Sequence, residues 1–154
     1  EQWLKDGADL NLTETPQLAQ DIQALQRGEA ISSLNGSDKL SPASFVIVED
    51  PHGREREVFK NLYDFVIAVD TPFDITLARR LLRRSQDAFF VEHPDEFGKY
   101  VVTALNRYLD RLRNFYLVIN TRLYENCDMV VDGTKSVDEL VSEVARQIRA
   151  RALS

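Results

Sequence analysis

The sequence predicts an α/β fold in which a mainly parallel sheet is covered by helices on both faces, giving three layers. Short continuous apolar runs, typical of strands buried on both faces, occur at residues 45–48, 65–69 and 129–131. Segments with helical spacing of apolar residues alternate with these runs, and such alternation favours parallel strands joined by helices. With 154 residues, the chain is expected to form a single domain over residues 1–154.

The first predicted helix begins at Thr15 and Pro16, which suit the N-cap and the first helical position. Its apolar residues recur at helical spacing until Gly28, which is expected to end it. Residues 32–42 are rich in Ser, Asn and Gly and are expected to form a loop. The buried strand predicted at 45–48 follows that loop.

Acidic residues follow each of the first two predicted strands. Glu49 and Asp50 end the first, and a short charged helix is expected to follow through Phe59. Asp70 ends the second and is expected to cap the helix that begins at Thr71 and Pro72, with Thr71 competing for the role.

The second half of the chain predicts a long helix over residues 96–116, a strand at 129–131 and a final helix. Tyrosine, phenylalanine and aliphatic side chains form a stripe along the long helix, and we expect this stripe and Trp3 to belong to the core. Ser136 and Glu139 form a capping-box pair ahead of the final helix.

Composition excludes several functional classes. Hydrophobic residues make up 44% and charged residues 29%, as in a folded globular domain. A net charge of −6 argues against nucleic acid or an anionic membrane as the main partner. The single cysteine, Cys127, rules out an intramolecular disulfide, and the two separate histidines suggest no metal cluster. Neither a membrane-spanning run nor a signal-peptide pattern is visible, so a cytoplasmic protein is expected.

Ligands of parallel sheets bind beyond the carboxyl ends of the strands. Glu49, Asp70 and Asp132 lie at or just past such ends. Polar residues must end a buried strand in any case, so both a functional and a structural interpretation stay open for these three acids.

Four arginines, Arg79, Arg80, Arg83 and Arg84, lie within about two turns of one predicted helix. Residues three or four apart share a helix face, so Arg80 can converge with Arg83 or Arg84 on one anion. The alternative is a solvated basic face that pairs with nearby acids. The residues alone favour that alternative.

Two segments carry a family resemblance: residues 63–74 read YDFVIAVDTPFD and residues 77–83 read LARRLLR. They are similar to the strand, turn and lid helix of the uridine kinase and phosphoribulokinase family of P-loop kinases. Residues 46–49 resemble that family's strand ending in a glutamate that faces the active site. Residues 127–133, CDMVVDG, resemble its final strand, whose loop borders the adenine, and residues 15–29 resemble its helix near the acceptor.

The resemblance implies a nucleoside-kinase-like P-loop NTPase fold with a lid region at about residues 73–95. It implies transfer of the ATP γ-phosphate to a hydroxyl of a small metabolite, a nucleoside or another alcohol, with Mg²⁺ required. It favours catalytic roles for Arg80 and Arg83, while Arg84 keeps the structural interpretation.

The other candidate site residues keep structural alternatives. Glu49 could orient Mg²⁺-bound water or the acceptor hydroxyl, or simply end a strand. The ATP contacts would come from Arg79 and from the loop of Asp132, Gly133 and Lys135, which is otherwise a plain turn before a capped helix. His52, just past a strand end, is the candidate substrate contact. No residue is predicted to be a metal ligand.

Departures from the family pattern qualify this expectation. Asp50 stands where the family has a glycine, Arg84 stands where it has an aspartate, and residues 32–35 replace a Pro-x-Tyr pattern. The sequence contains no Gly-x-x-x-x-Gly-Lys-Ser/Thr, the loop that cradles ATP phosphates. In the family, that loop follows a central strand lying between the strands predicted here at 44–49 and 63–69.

We therefore expect an N-terminal βαβ portion of a parent kinase to be missing from this chain, which alone should lack kinase activity. The alternative is a non-catalytic nucleotide-binding or regulatory module on the same scaffold. The apolar surface of the long aromatic helix could also serve a homodimer, and the sequence leaves this open.

Overall fold

The computed structural model describes residue 3 and residues 9–12, 15–33 and 38–152. The described chain is a mixed α/β structure in which helices α1 to α6, strands β1 to β4, three 3₁₀ turns and one π-helical turn alternate. The helices are α1 Pro16–Gln26, α2 Phe73–Ser85, α3 Ala88–Glu92, α4 Pro94–Arg107, α5 Arg113–Glu125 and α6 Val137–Ala152. The strands are β1 Ile31–Ser32, β2 Lys39–Leu40, β3 Ile67–Asp70 and β4 Met129–Asp132. The 3₁₀ turns are Leu10–Leu12, Gly53–Glu55 and Glu57–Phe59, and the π turn is Tyr108–Leu112.

Strands β3 and β4 confirm the predicted parallel pairing. They run in register from Ile67 opposite Met129 to Asp70 opposite Asp132. Helices α2 to α5 form the crossover, as a parallel pair requires. The carboxyl ends of both strands therefore lie side by side, each ending in an aspartate.

The strand predicted at residues 45–48 is wrong. This segment forms no strand in the structure, and Phe45 and Ile47 are 70% and 96% exposed. A run of apolar residues becomes a buried strand only when a neighbouring strand takes up its backbone hydrogen bonds. No strand in the described residues pairs with it, and only Val48 packs against the core.

The loop expected at residues 32–42 is partly wrong. Strands β1 and β2 pair antiparallel, with Ile31 opposite Leu40 and Ser32 opposite Lys39. The Ser33 N–H donates to the Asp38 carbonyl oxygen at 2.7 Å and closes this short ladder. Residues 34–37, which include half of the segment replacing the Pro-x-Tyr pattern, lie outside the described residues.

Helix ends follow the sequence only in part. The final helix has the predicted capping box: the Ser136 N–H donates to Glu139 Oε2 at 2.9 Å, and the Glu139 N–H reaches Ser136 Oγ at 3.4 Å. The first helix ends as predicted, with Gly28 at a φ of +81°, where a side chain would be strained. Thr15 does not cap that helix, since its hydroxyl accepts from Arg56 instead.

The prediction that Asp70 or Thr71 caps helix α2 is also wrong. Pro72 occupies the N-cap, and no side chain caps the helix. The Asp70 carboxylate instead accepts a hydrogen bond from the Tyr124 hydroxyl.

The long helix extends further than predicted. It runs continuously from residue 94 to residue 125 and consists of α4, the π turn and α5. Its aromatic stripe belongs to the core only in part: no residue of α4 is buried and Leu109 is 68% exposed, whereas Phe115 packs against a core cluster. The short helix expected before Phe59 is replaced by two 3₁₀ turns.

Two small clusters form the core. In the first, Leu10 and Ile119 are buried, and Trp3, Phe115 and Leu123 pack against them, which confirms the core position of Trp3. In the second, Phe59 packs with Ala19 and Ile22 of α1. None of the helices in the described ranges has both the length and the apolar character needed to cross a membrane.

Candidate functional site

The carboxyl ends of β3 and β4 form the edge at which a ligand of a parallel sheet would bind. Gly133 directly follows β4 and is buried there. Its N–H donates to the Asp70 carbonyl oxygen at 2.7 Å. A Cβ at this position would lie 1.9 Å from Thr71 Oγ1 and 2.8 Å from Val69 Cγ1. The segments that follow β3 and β4 approach so closely that position 133 requires glycine.

Arg79 on α2 connects the predicted lid helix to this edge. Its Nη1 donates to the Gly133 carbonyl oxygen at 2.7 Å, across 54 positions of sequence. Two residues predicted to contact ATP are thus in direct contact with each other. The hydrogen bond fixes the distance between α2 and the loop after β4.

The other two predicted ATP contacts in this loop also have protein partners. Asp132 Oδ1 accepts from the Thr134 N–H at 2.9 Å and from its hydroxyl at 2.6 Å, and these hydrogen bonds lower the pKa of Asp132. The Lys135 ammonium lies 2.8 Å from Glu143 Oε2 on α6, and this contact raises the pKa of Lys135. The loop is therefore organised by its own side chains.

Tyr124 is a residue of this edge that the sequence did not indicate. Its hydroxyl donates to Asp70 Oδ1 at 2.7 Å. Burial, followed by the hydrogen bond to Asp70 and the negative charge of that carboxylate, raises the pKa of Tyr124 to about 12. The phenol stays protonated and holds the strand-end carboxylate toward α5. No sequence pattern joins two residues so far apart.

Arg80 and Arg83 lie on the exposed side of α2. Neither has a hydrogen-bond or ion-pair partner within the described residues. Their neighbour Arg84 behaves as its structural interpretation predicts, with a guanidinium 3.3 Å from Asp87 Oδ2 and 6.0 Å from the centre of the Tyr100 ring. Of the four lid arginines, then, two are engaged in the fold and two are available for a ligand.

A groove separates α2 from α4 and the π turn, and we call it the α2–α4 groove. It has a volume of about 320 Å³. Arg80 lines it from the α2 side, and Arg107 lines it from the last turn of α4. The sequence did not indicate Arg107, because a lone arginine in a helical stripe shows no spacing that marks a ligand.

Glu49 and His52 belong to another region of the molecule. Glu49 is exposed, and among the residues described none holds it by a hydrogen bond or ion pair. The His52 N–H donates to Asp50 Oδ1 at 3.0 Å, while His52 Nδ1 is buried with no described partner. Burial, reinforced by the charge of Arg56 and opposed by that of Asp50, lowers the pKa of His52.

Beside His52 lies a buried network that sequence reasoning missed. Arg56 Nη2 is 2.8 Å from Asp50 Oδ2, and both side chains are 4% exposed. The Tyr63 hydroxyl donates to the same carboxylate oxygen at 2.7 Å, and burial followed by this hydrogen bond raises the pKa of Tyr63. The Arg56 guanidinium also lies 4.0 Å from the centre of the Phe59 ring. The sequence marked Asp50 only as a departure from the family's glycine, but in the structure its carboxylate is the centre of this network.

The segment after His52 packs at the amino ends of β3 and β4. Arg54 pairs with Asp128, which directly precedes β4, at 2.8 Å, and Gly53 lies next to Val66, which precedes β3. The Arg79–Gly133 contact lies at the carboxyl ends. The structure therefore brings Arg79, Gly133 and their loop together, while no hydrogen bond or ion pair of the described residues joins Glu49 or His52 to the lid arginines.

The chain is similar to uridine kinases. The uridine kinase of Clostridium botulinum strain 657 (Type Ba4) is 31% identical over 114 residues, which is 74% of this chain and 47% of that protein. Those of strains Okra (Type B1) and Kyoto (Type A2) match with the same identity and coverage. The chain thus spans about half the length of the curated relatives it matches. No family model matches the chain. These similarities support a uridine kinase-like relationship.

Proposed function

We propose that this chain is the lid-bearing portion of a phosphotransferase that moves the ATP γ-phosphate to a hydroxyl of a small metabolite. The observation that carries the proposal is the division among the lid arginines. All four are exposed, but Arg79 and Arg84 are held by hydrogen bonds or an ion pair, whereas Arg80 and Arg83 have no partner within the described ranges.

Arg80 and Arg83 suit this role because they lie three residues apart and so on one helix face. Phosphoryl transfer spreads negative charge over the transferring group, and positioned guanidinium groups stabilise that charge. The Arg79–Gly133 hydrogen bond holds α2 beside the loop after β4, which sets where the two guanidinium groups project. A helix held over the phosphates would also exclude water.

The residues present fit the phosphates of ATP better than they fit its metal ion. Within the described ranges, no group of three His, Cys, Asp or Glu side chains could hold a metal ion. In the proposed reaction, the Mg²⁺ would be held mainly by the ATP phosphates themselves. Glu49 lies in another region than the lid arginines, so its proposed role toward the acceptor hydroxyl requires the complete fold to bring the two regions together.

The proposed three-layer P-loop fold needs a further βαβ portion, whose central strand would lie between residues 45–48 and β3. Ile47 is 96% exposed, and covering such a side chain contributes about 1.5–3 kcal/mol. A central strand followed by the glycine-rich phosphate loop would cover this surface and complete the ATP site.

One observation favours a second candidate, a non-catalytic nucleotide-binding or regulatory module. Asp132, Gly133 and Lys135 already have partners within the protein, so the loop expected to border adenine needs no ligand for its order. Under this alternative, the complete protein binds ATP and does not consume it.

ATP consumption by the complete protein, measured against a panel of small alcohols that includes nucleosides, tests the two candidates. Arg80→Ala and Arg83→Ala should each lower kcat/KM about 100-fold, the usual loss when one donor to the developing charge is removed. Arg84→Ala, the same charge change on the same helix, should stay within about threefold because Arg84 pairs with Asp87. ATP binding without consumption by any acceptor would instead establish the non-catalytic module.

A further inference from the structure

Helix α2, which carries the lid arginines, has little apolar packing to hold it in place. None of its 13 residues, all within the described ranges, is buried. At its start the Phe73 ring packs loosely on α5, with its centre 6.1 Å from that of Tyr116. Segments with few buried apolar contacts have low local stability. The polar contacts around α2 therefore have a large share in fixing where the helix lies.

Three hydrogen bonds, each 2.7 Å long, follow one another from α5 to α2. The Tyr124 hydroxyl on α5 donates to Asp70 Oδ1. The Asp70 carbonyl oxygen accepts from the Gly133 N–H, and the Gly133 carbonyl oxygen accepts from Arg79 Nη1. Asp70 and Gly133 are thus each held on two sides. We call these four residues the α5–α2 network.

Asp70 is also joined to α2 through the backbone. It ends β3, and α2 begins three residues later. Pro72, at the N-cap of α2, has its φ fixed by its ring, so this short connection has little freedom. A displacement of Asp70 is therefore passed to the first turn of α2, while Arg79 attaches the second turn to the loop after β4. Attachment at two points sets the direction of the helix from which Arg80 and Arg83 project.

Tyr124 is the side chain on which the Asp70 carboxylate depends. Within the described ranges, no other side chain forms a hydrogen bond or ion pair with it. Asn120, one turn earlier on α5, donates to the Tyr124 hydroxyl oxygen at 3.5 Å, which leaves the hydroxyl hydrogen for Asp70. Because Asp70 is exposed, its carboxylate would rotate freely in water without this contact. The end of β3 would then be held by backbone hydrogen bonds alone.

We propose that Tyr124 is a positioning residue for the phosphoryl transfer: through Asp70 it fixes the start of α2 and so the placement of Arg80 and Arg83 at the transferring phosphate. This inference rests on the proposed function. The hydroxyl acts only by holding a carboxylate and transfers neither a proton nor a phosphate. Displacing the groups that contact the reacting atoms by about 1 Å can cost roughly 100-fold in rate, so a contact remote from the chemistry can control it.

Amide hydrogen exchange, followed by mass spectrometry of the complete protein without ATP, tests the structural part. Tyr124→Phe keeps the ring and removes the hydroxyl. Exchange in the peptides of α2 should become about fivefold faster, the factor that corresponds to one ordinary hydrogen bond. Arg79→Ala should act in the same direction. The matched control is Tyr63→Phe, which removes a phenol-to-carboxylate hydrogen bond of the same 2.7 Å length, to Asp50, and should leave exchange in α2 unchanged.

Steady-state kinetics of the complete protein, with any acceptor that supports ATP consumption, tests the functional part. Positioning acts on the transition state more than on substrate binding, so Tyr124→Phe should lower kcat about tenfold and change KM less than about twofold. The double variant Tyr124→Phe, Arg79→Ala should lose less than the product of the two single losses, because both changes break one network. Tyr63→Phe should keep kcat within about twofold, although it removes an equivalent hydrogen bond.

The outcomes separate this inference from the proposed function. Unchanged exchange in α2 of the Tyr124→Phe protein, or an unchanged kcat, would overturn the positioning role even if the protein consumes ATP. An equal fall in kcat for Tyr63→Phe would also overturn it, since a general loss of stability would then account for both variants. Faster exchange in α2 of a protein that binds ATP and never consumes it would support the placement of α2 by Tyr124 and refute the kinase proposal.

Discussion

The guanidinium of Arg79 on α2 donates a 2.7 Å hydrogen bond to the carbonyl oxygen of Gly133, the residue that follows β4. The acceptor is a backbone oxygen, so this hydrogen bond does not depend on the side chain at position 133. This hydrogen bond joins the predicted lid helix to the sheet edge. Arg79 is therefore a positioning residue in this structure.

Replacing Arg79 with alanine should lower the free energy of unfolding by about 1 kcal/mol, the usual net value of one hydrogen bond. Urea denaturation of the complete protein measures this. The matched control is Arg84→Ala, which breaks an ion pair between side chains that are 51% and 39% exposed and should cost less than about 0.5 kcal/mol. Equal losses for the two variants would contradict the positioning role of Arg79.

Gly133→Ala should destabilise the protein by about 1–3 kcal/mol, the range for forcing extra atoms into a packed site. The added Cβ would meet Thr71 Oγ1 at 1.9 Å and the Asp70 carbonyl oxygen at 3.0 Å, and the backbone atom cannot rotate away. Thermal unfolding, monitored by circular dichroism, measures the difference in stability between this variant and the natural protein.

Gly98→Ala is the control for this change. Gly98 lies inside α4, and a Cβ there would meet nothing within 4 Å. Alanine is the better helix former by about 1 kcal/mol, so this variant should be slightly more stable than the natural protein. A Gly133→Ala protein as stable as the Gly98→Ala protein would show that the edge is looser than the structure indicates.

The sequence predicted β3, β4 and the start of the final helix, but not the short β1–β2 pair. The apolar runs at β3 and β4 pair with each other, and the Ser136–Glu139 capping box needs only itself. The run at 45–48 has the same composition, but no described strand pairs with it, so it stays irregular and exposed. An apolar pattern shows that a segment could form a buried strand, but the segment becomes one only when a neighbouring strand pairs with it.

Less of the candidate site than of the fold could be predicted, because its contacts join residues that are far apart in sequence. Sequence resemblance drew attention to Arg79, Arg80, Arg83 and the loop after β4. It did not indicate that Arg79 contacts Gly133 or that Tyr124 holds Asp70, because each pair is 54 residues apart. Nor could helical spacing show that Arg107 lines a groove, since a lone arginine in a helical stripe has no spacing that marks a ligand.

Asp50→Asn should destabilise the protein by about 3–5 kcal/mol, because it removes the carboxylate that compensates a buried guanidinium. Both side chains of the Asp50–Arg56 pair are 4% exposed. Tyr63→Phe removes only a neutral donor to the same carboxylate and should cost about 1 kcal/mol. Denaturation of the two single variants and the double variant measures their coupling. Strictly additive losses would show that the three side chains do not act as one network.

His52 should make stability depend on pH in the weakly acidic range. Burial lowers the pKa of His52 in the folded protein, so the unfolded chain binds a proton more readily than the folded one. Its contribution to stability is complete above its unfolded pKa, about 6.5, and is lost as pH falls through the lower folded pKa. The free energy of unfolding should therefore decrease between pH 7.5 and pH 5.5.

His52→Asn isolates this contribution, since asparagine keeps a polar side chain and does not titrate. Urea denaturation at pH 7.5 and at pH 5.5 gives the change in unfolding free energy for each protein. Acidification should reduce the stability of the natural protein more than that of the variant, whatever the variant costs at pH 7.5. The comparison of slopes removes the effect of other titrating groups, because they are common to both proteins. A variant with the same loss on acidification would show that His52 takes up its proton as easily in the folded state as in the unfolded one.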